Sequence, residues 1–312
     1  MKRELTCLYP GPRFFLTYAL FAGIVTLHAA LPAGQNVFVS AGDDSITQIT
    51  PLGAKSIFGF GQYPEGLVFN NAGTLFESDF GTGSINEFTP GGGESTYATG
   101  LDHPLGLACD SAGNLFVTSS YANTITKITP GGGESTFASG LGEPTALAFN
   151  RAGDLFESDW ASGNIYEFTP GGVQSVYASG FLYPDGLAFD SSGSLYVVSQ
   201  VNGTITKITT GGLQSTFASG LNTPLGLGID SADNVFVVNS FGGQTLGNVM
   251  KITPGGSKSI FASGLQNPQW LAIQPVPETS SVDLLTACAC ILLHRKYRNA
   301  PRSPALQRHY AS

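Results

Sequence analysis

The sequence predicts an all-β six-bladed propeller with four strands per blade, from three observations: a 40-residue internal repeat, strand-like alternation within each repeat, and a glycine-rich composition poor in helix formers. Gly takes 41 of 312 positions, hydrophobic residues 42% and charged residues only 12%, which excludes a disordered polymer and favours short strands joined by tight turns. Gly73, Gly113, Gly153 and Gly193 head equivalent units, and Asp233 opens a fifth.

Each unit divides into pieces of β-branched and aromatic residues bounded by Gly, Pro or Asn, and no stretch carries a helical period. Leu67, Leu107, Leu147, Leu187, Leu227 and Leu271 mark a first strand type, A, and Phe38, Phe76, Phe116, Phe156, Tyr196 and Phe236 a second, B. Ile46, Ile85, Ile125, Ile165, Ile205 and Val249 mark strand C, and Phe58, Tyr97, Phe137, Tyr177, Phe217 and Phe261 mark strand D. The Asp-x-x-Gly strings between A and B, such as Asp110 to Gly113, supply a turn bonded by its own side chain. The body begins at a B strand (Asn36 to Ser40) and ends at an A strand (Pro268 to Gln274), so the last strand should complete the first blade and close the ring.

Three segments follow. Residues 1–33 read as a signal peptide, since Lys2, Arg3 and Arg13 precede the apolar run from Phe14 to Leu27, and the small residues Ala29, Ala30 and Ala33 follow it. Residues 34–275 are the propeller. In residues 276–312, Val276-Pro277-Glu278-Thr279 leads to an apolar stretch and then to His294-Arg295-Lys296-Tyr297-Arg298. That order resembles the bacterial PEP-CTERM sorting tail, with Thr279 in place of the second Pro and an apolar stretch of only ten residues, too short for a helical span. The resemblance implies a protein that is secreted or displayed at the bacterial cell surface, or in extracellular matrix, and meets the membrane only during export and sorting.

Residues 34–275 hold 19 acids and six bases, a balance that repels phosphate backbones and excludes nucleic acid as a partner. A protein, glycan or small-molecule ligand remains, and a monomer is expected. Cys109 is the only cysteine of the body and reads as a buried small hydrophobe. Glu87, Lys127, Glu167 and Lys207 alternate on strand C and suggest charge pairs between neighbouring blades, while Asp79 and Asp159 should bond their own B–C turns.

The strings Pro184-Asp185-Gly186-Leu187-Ala188-Phe189-Asp190 and Gly193-Ser194-Leu195-Tyr196-Val197-Val198 resemble NHL repeats and the senescence-marker/gluconolactonase superfamily. In the gluconolactonase-like enzymes, Glu, Asn and Asp on the innermost strands hold a divalent metal in the channel, the Asp within Pro-Asp-Gly. Asp185 matches that motif, and the equivalent positions are Glu65, Leu105, Thr145, Leu225 and Gln269. The resemblance thus implies Glu65 and Asp185 as ligands of a calcium or zinc ion, on opposite sides of a six-fold ring, with Thr145, Gln269 and water completing the set. Tyr63 and Tyr183 precede the two prolines and, with His103, make the expected ligand-binding mouth. Ile128-Thr129-Pro130-Gly131-Gly132 resembles strings of the streptogramin lyases, which implies His103 as a proton-transfer group. The reading that follows is an exported propeller that binds a ligand or partner at one mouth without catalysis. The alternatives are a metal-dependent lactonase or related hydrolase, or a streptogramin-lyase-like enzyme.

Overall fold

The computed structural model describes residues 35–241 and 246–276; the signal peptide and sorting tail read from the sequence lie outside them, apart from the first residue of the tail. The described residues form six four-stranded antiparallel sheets. Blade 1 contains β1 (Val37–Ala41), β2 (Ser45–Ile49) and β3 (Lys55–Phe60), and blade 2 contains β4 (Pro64–Phe69), β5 (Leu75–Asp79), β6 (Ser84–Phe88) and β7 (Glu94–Thr99). Blade 3 is β8 (Pro104–Cys109), β9 (Leu115–Ser119), β10 (Thr124–Ile128) and β11 (Glu134–Ser139), and blade 4 is β12 (Pro144–Phe149), β13 (Leu155–Asp159), β14 (Asn164–Phe168) and β15 (Gln174–Ser179). Blade 5 is β16 (Pro184–Phe189), β17 (Leu195–Ser199), β18 (Thr204–Ile208) and β19 (Gln214–Ala218), and blade 6 is β20 (Pro224–Ile229), β21 (Val235–Asn239), β22 (Gly247–Ile252) and β23 (Lys258–Leu265). The last strand, β24 (Pro268–Ile273), pairs with β1 and supplies the inner strand of blade 1. Inner strands adjoin around the ring, and β24 against β4 closes it, so the chain ends leave no open inner edge.

Alternation explains the packing. In every blade the B-strand aromatic meets the D-strand aromatic edge to face, from 4.8 Å for Phe38 and Phe58 to 5.0 Å for Phe236 and Phe261. Such pairs contribute about 0.5–1.5 kcal/mol each beyond the area they bury. The A–B turns form as expected: Asp110 Oδ1 accepts the amides of Ala112 and Asn114, both at 2.9 Å. Cys109 is half-buried against the cluster of Leu107, Leu115 and Val117, and burial pushes its thiol up to about 12.

The expected pairing of strand C charges between blades is not made. Lys207 turns to Asp190 of its own blade at 2.9 Å, and Lys127 lies over the Phe116 ring. A lysine beside a B-strand aromatic reaches the turn at the end of its own sheet more easily than the neighbouring blade. This salt bridge, with the hydroxyl of Ser192 and the amide of Ser194, holds the Asp190 carboxyl down at about 2 against the opposing effect of burial.

Each inner strand is bulged at the residue that faces the channel. Pro64 pairs with Asp79 but Leu67 with Glu77, so Glu65 and Gly66 stand out of register, and the same shift recurs at Asp185 and Gly186. A bulge re-aims a side chain without ending the strand. It also brings blades together: a Cβ on Gly66 would lie 2.0 Å from the Leu105 carbonyl, and one on Gly106 would lie 2.1 Å from that of Thr145.

A hydroxyl on the B strand latches each of four bulges to the next blade. Ser78 Oγ accepts the Gly66 amide at 2.8 Å and donates to the Leu105 carbonyl, while Thr118 accepts from Gly106 and donates to Thr145, both at 2.8 Å. Ser158 accepts from Ala146 and donates to the Asp185 carbonyl at 2.7 Å, and Ser40 accepts from Trp270 and donates to the Glu65 carbonyl at 2.7 Å. Val198 and Val238 hold this position in blades 5 and 6, which lack the latch.

Candidate functional site

The inner strands bring Glu65, Leu105, Thr145, Asp185, Leu225 and Gln269 to one level of the ring, and the residue before each proline stands at the same mouth. That preceding residue adopts a left-handed backbone in all six blades: Tyr63, His103, Glu143, Tyr183, Thr223 and Asn267 have φ between 37° and 61°. Such conformations are strained for residues with a Cβ and persist where the surroundings impose them. Hydrogen bonds do so here, since the Tyr63 carbonyl accepts from Phe80 and the Tyr183 carbonyl from Gln200, both at 3.2 Å.

Two residues further along, Leu67, Leu107, Leu147, Leu187, Leu227 and Leu271 form a buried apolar collar. It borders a cavity of about 240 Å³ at the opposite face. The acids therefore lie between a polar mouth and an apolar collar. Asp185 is 7% exposed, and burial pushes its carboxyl up to about 7. Burial raises Glu65 to about 8, with the charge of Asp185 adding to the effect. Among the described residues neither acid has a basic partner: the five lysines lie on C and D strands and Arg151 in an A–B turn at the far face.

The other expected residues divide. Thr145 is turned away from the acids into the join between blades, its hydroxyl 2.9 Å from the Ser158 carbonyl and 2.8 Å from Ser158 Oγ. Gln269 is half-buried at the same level of the ring. Tyr63 is 64% exposed at the rim, and its amide donates to Asp44. His103 sits in an aromatic nest, 4.6 Å from Phe80 and 4.2 Å from Tyr121 between ring centres, with Nδ1 2.6 Å from Asp102. Tyr183 stacks on Trp160 at 4.1 Å and 21°.

Phe80, Tyr121 and Trp160, which the sequence reading did not select, thus build the rim. Their common signal is their place in the B–C turns, just after strand B. Asp79 and Asp159 bond their own B–C turns at Thr82 and Ser162, both at 2.8 Å. Each also accepts the amide of the incoming loop, Gln62 or Gly142, which ties the rim of one blade to the next.

The residues do not fit the divalent site that the resemblance implies. A cation of that kind needs several oxygens converging on one point. Here Leu105 and Leu225 occupy flanking positions, the Thr145 hydroxyl is engaged by Ser158, and no three His, Cys, Asp or Glu side chains gather among the described residues. The arrangement instead sets two acids without basic partners across the ring from each other, both kept protonated to higher pH than usual by burial.

No family model and no curated protein matches the sequence. Solved structures share the fold. A chain of a nidogen/laminin complex is 19% identical with a TM-score of 0.68, over 78% of this chain and 99% of that one. A gluconolactonase from Xanthomonas campestris is 20% identical with a TM-score of 0.62, over 80% and 97%. A catalytically inactive virginiamycin B lyase from Staphylococcus aureus, solved with quinupristin, is 14% identical with a TM-score of 0.58, over 80% and 94%. At these identities the likeness shows the fold alone, a β-propeller.

Proposed function

We propose that the mouth of the channel binds a small uncharged or cationic ester, of which a lactone is the simplest case, and that Asp185 and Glu65 hydrolyse it as a general base and a general acid. The observation that carries this reading is the pair of opposed carboxyls, raised to about 7 and about 8 at the base of an aromatic rim. Near pH 7 Asp185 is partly ionised and Glu65 protonated, the complementary states that acid–base hydrolysis needs. Asp185 takes a proton from water as its oxygen attacks the carbonyl carbon. Glu65 gives its proton to the departing alkoxide oxygen as the C–O bond breaks, leaving a hydroxy acid. Asp185 then loses its proton to solvent water and Glu65 takes one from it, which restores the pair. The gluconolactonase and lyase likenesses support an enzyme on this scaffold. Among the described residues the rim carries acids and no lysine or arginine, which disfavours anionic substrates.

A binding module without turnover is the second reading, favoured by the exposed rings of Tyr63 and Tyr121. Screening neutral and amine-bearing lactones, with and without chelator, separates the two. Turnover that survives chelation and is lost in Asp185→Asn and Glu65→Gln supports the hydrolase. Binding without turnover, weakened by Tyr183→Ala, supports the module. Export and surface display through residues 1–33 and 276–312 are proposed with either reading, and unchanged localisation on deleting either segment would refute its role.

A further inference from the structure

One position on the outer strands changes by sectors of the ring. It is the first residue of each D strand, held by register opposite the last residue of strand C: Lys55, Glu94, Glu134, Gln174, Gln214 and Lys258. Adjacent blades 6 and 1 thus carry lysine, blades 2 and 3 glutamate, and blades 4 and 5 glutamine, all exposed. Strand C charges in blades 2 to 5 alternate from blade to blade, so this matching of neighbours is a separate pattern.

The flanking residues extend the contrast. Residues 45–60 and 247–265, the C and D strands of blades 1 and 6 with their turns, hold Lys55, Lys251 and Lys258 and no acid, although acids outnumber bases elsewhere in the ring. Residues 84–99 and 124–139 of blades 2 and 3 hold Glu87, Glu94 and Glu134 against Lys127, which lies over Phe116. Glu167 and Lys207 balance in blades 4 and 5. The basic edge is also apolar: Ile57 and Ile260, 56% and 64% exposed, stand where blades 2 and 3 have Thr96 and Thr136. Leu52, 97% exposed in the C–D turn of blade 1, replaces Gly91 and Gly131.

Each sector is one surface. Lys55 Nζ donates to the Ser263 carbonyl of blade 6 at 2.6 Å, and the Tyr97 hydroxyl of blade 2 donates to the Thr129 carbonyl of blade 3 at 3.1 Å. Lys258 likewise donates to the Ser219 carbonyl of blade 5, so both ammonium groups are held at the edge with further donors to offer. Every outer strand pairs on one side only, which leaves backbone donors and acceptors along the rim of the disc.

We propose that the outer edge of blades 6 and 1 docks onto the outer edge of blades 2 and 3 of a second copy of this chain, in place of the expected monomer. Lys55 and Lys258 of one copy meet Glu94 and Glu134 of the other, and the contact covers Ile57 and Ile260. It joins two different surfaces, so each copy keeps one of them free and growth continues past the dimer. Repulsion between the acidic bodies is screened beyond about 8 Å at physiological salt, which leaves the contact pairs to act. The outer strands lie farthest from the channel, so this inference is independent of the hydrolase reading.

The test is sedimentation equilibrium of the full chain from about 10 μM to about 1 mM at about 0.15 M salt. The weight-average mass should rise with concentration beyond that of a dimer. Lys55→Glu with Lys258→Glu, or Glu94→Lys with Glu134→Lys, should weaken association at least tenfold, and an equimolar mixture of the two double variants should restore it. The variant with all four changes keeps the net charge of the parent and should associate as the parent does. Ile57→Thr with Ile260→Thr should weaken association at least threefold, and Gln174→Glu with Gln214→Glu on the neutral edge should leave it within twofold. All these positions are exposed, so the variants fold. A monomer at every concentration, association indifferent to the charge reversals, or a four-fold variant as weak as the double ones would overturn the proposal.

Discussion

Asp185 and Glu65 hold the same bulged position in blades three apart, and the carboxylate of the first helps keep a proton on the second. Their backbones are fixed the same way, since Ser158 donates to one carbonyl and Ser40 to the other, each at 2.7 Å. The hydroxyl latches thus position the two carboxyls to which the proposed hydrolysis is assigned.

For the reaction, kcat/KM should rise through about pH 7 as Asp185 ionises and fall through about pH 8 as Glu65 loses its proton. Glu65→Gln should remove the descending limb and cost on the order of 10²-fold. A pH–rate profile on a lactone substrate checks both; a descending limb that persists in that variant contradicts the assignment.

Stability should fall as the solution becomes alkaline. Glu65 and Glu77 have folded-state values of about 8 against an ordinary 4.5, and Asp185 about 7 against 3.8, so the folded chain binds more protons in that interval. Their stabilising contribution is complete below about pH 4 and is lost as pH rises through 7 to 8. Thermal unfolding at pH 5.5 and pH 8.5 should show the higher Tm at the lower pH, and equal values would refute the inference.

Glu157 should be replaceable at a gain. It is fully buried, neither of its oxygens has a partner, and valine fills the same position in four blades. Glu157→Val should stabilise the fold by about 2 kcal/mol at neutral pH, measured by denaturant unfolding. A destabilised variant would mean that the carboxyl has a partner in solution.

Thr118→Val removes a latch while keeping shape. Both the Gly106 amide and the Thr145 carbonyl lose a buried partner at 2.8 Å, which should cost about 1–3 kcal/mol. Thr136→Val, on an exposed outer strand, should change stability by less than about 0.5 kcal/mol. Similar losses at the two sites would argue against the latch.

Much of this was legible in the sequence because it is periodic. The strand markers from Leu67 to Phe261 fall within the strands they mark, and Pro268 to Gln274 announced ring closure through its order alone. Glu65 and Asp185 were legible as the two acids of the Pro-acid-Gly pattern. The turning away of Thr145 was not, since it depends on the bulge and on Ser158 across the join. Nor was the burial of Glu77, whose contrast with Val117 shows in the sequence only as an alternation. Lys207 misled because strand C charges alternate between blades while their partners lie at the turns within each sheet.

The paired first and last strands also decide how the ring can be held. Ala41 lies opposite Pro268 at the mouth end, whereas Val37 lies opposite Ile273 at the other, where the Gln274 amide meets the Asn36 carbonyl at 2.9 Å. The described chain therefore enters and leaves side by side on the back of the disc. The aromatic rim and the two ends of the described chain thus occupy opposite faces of the ring.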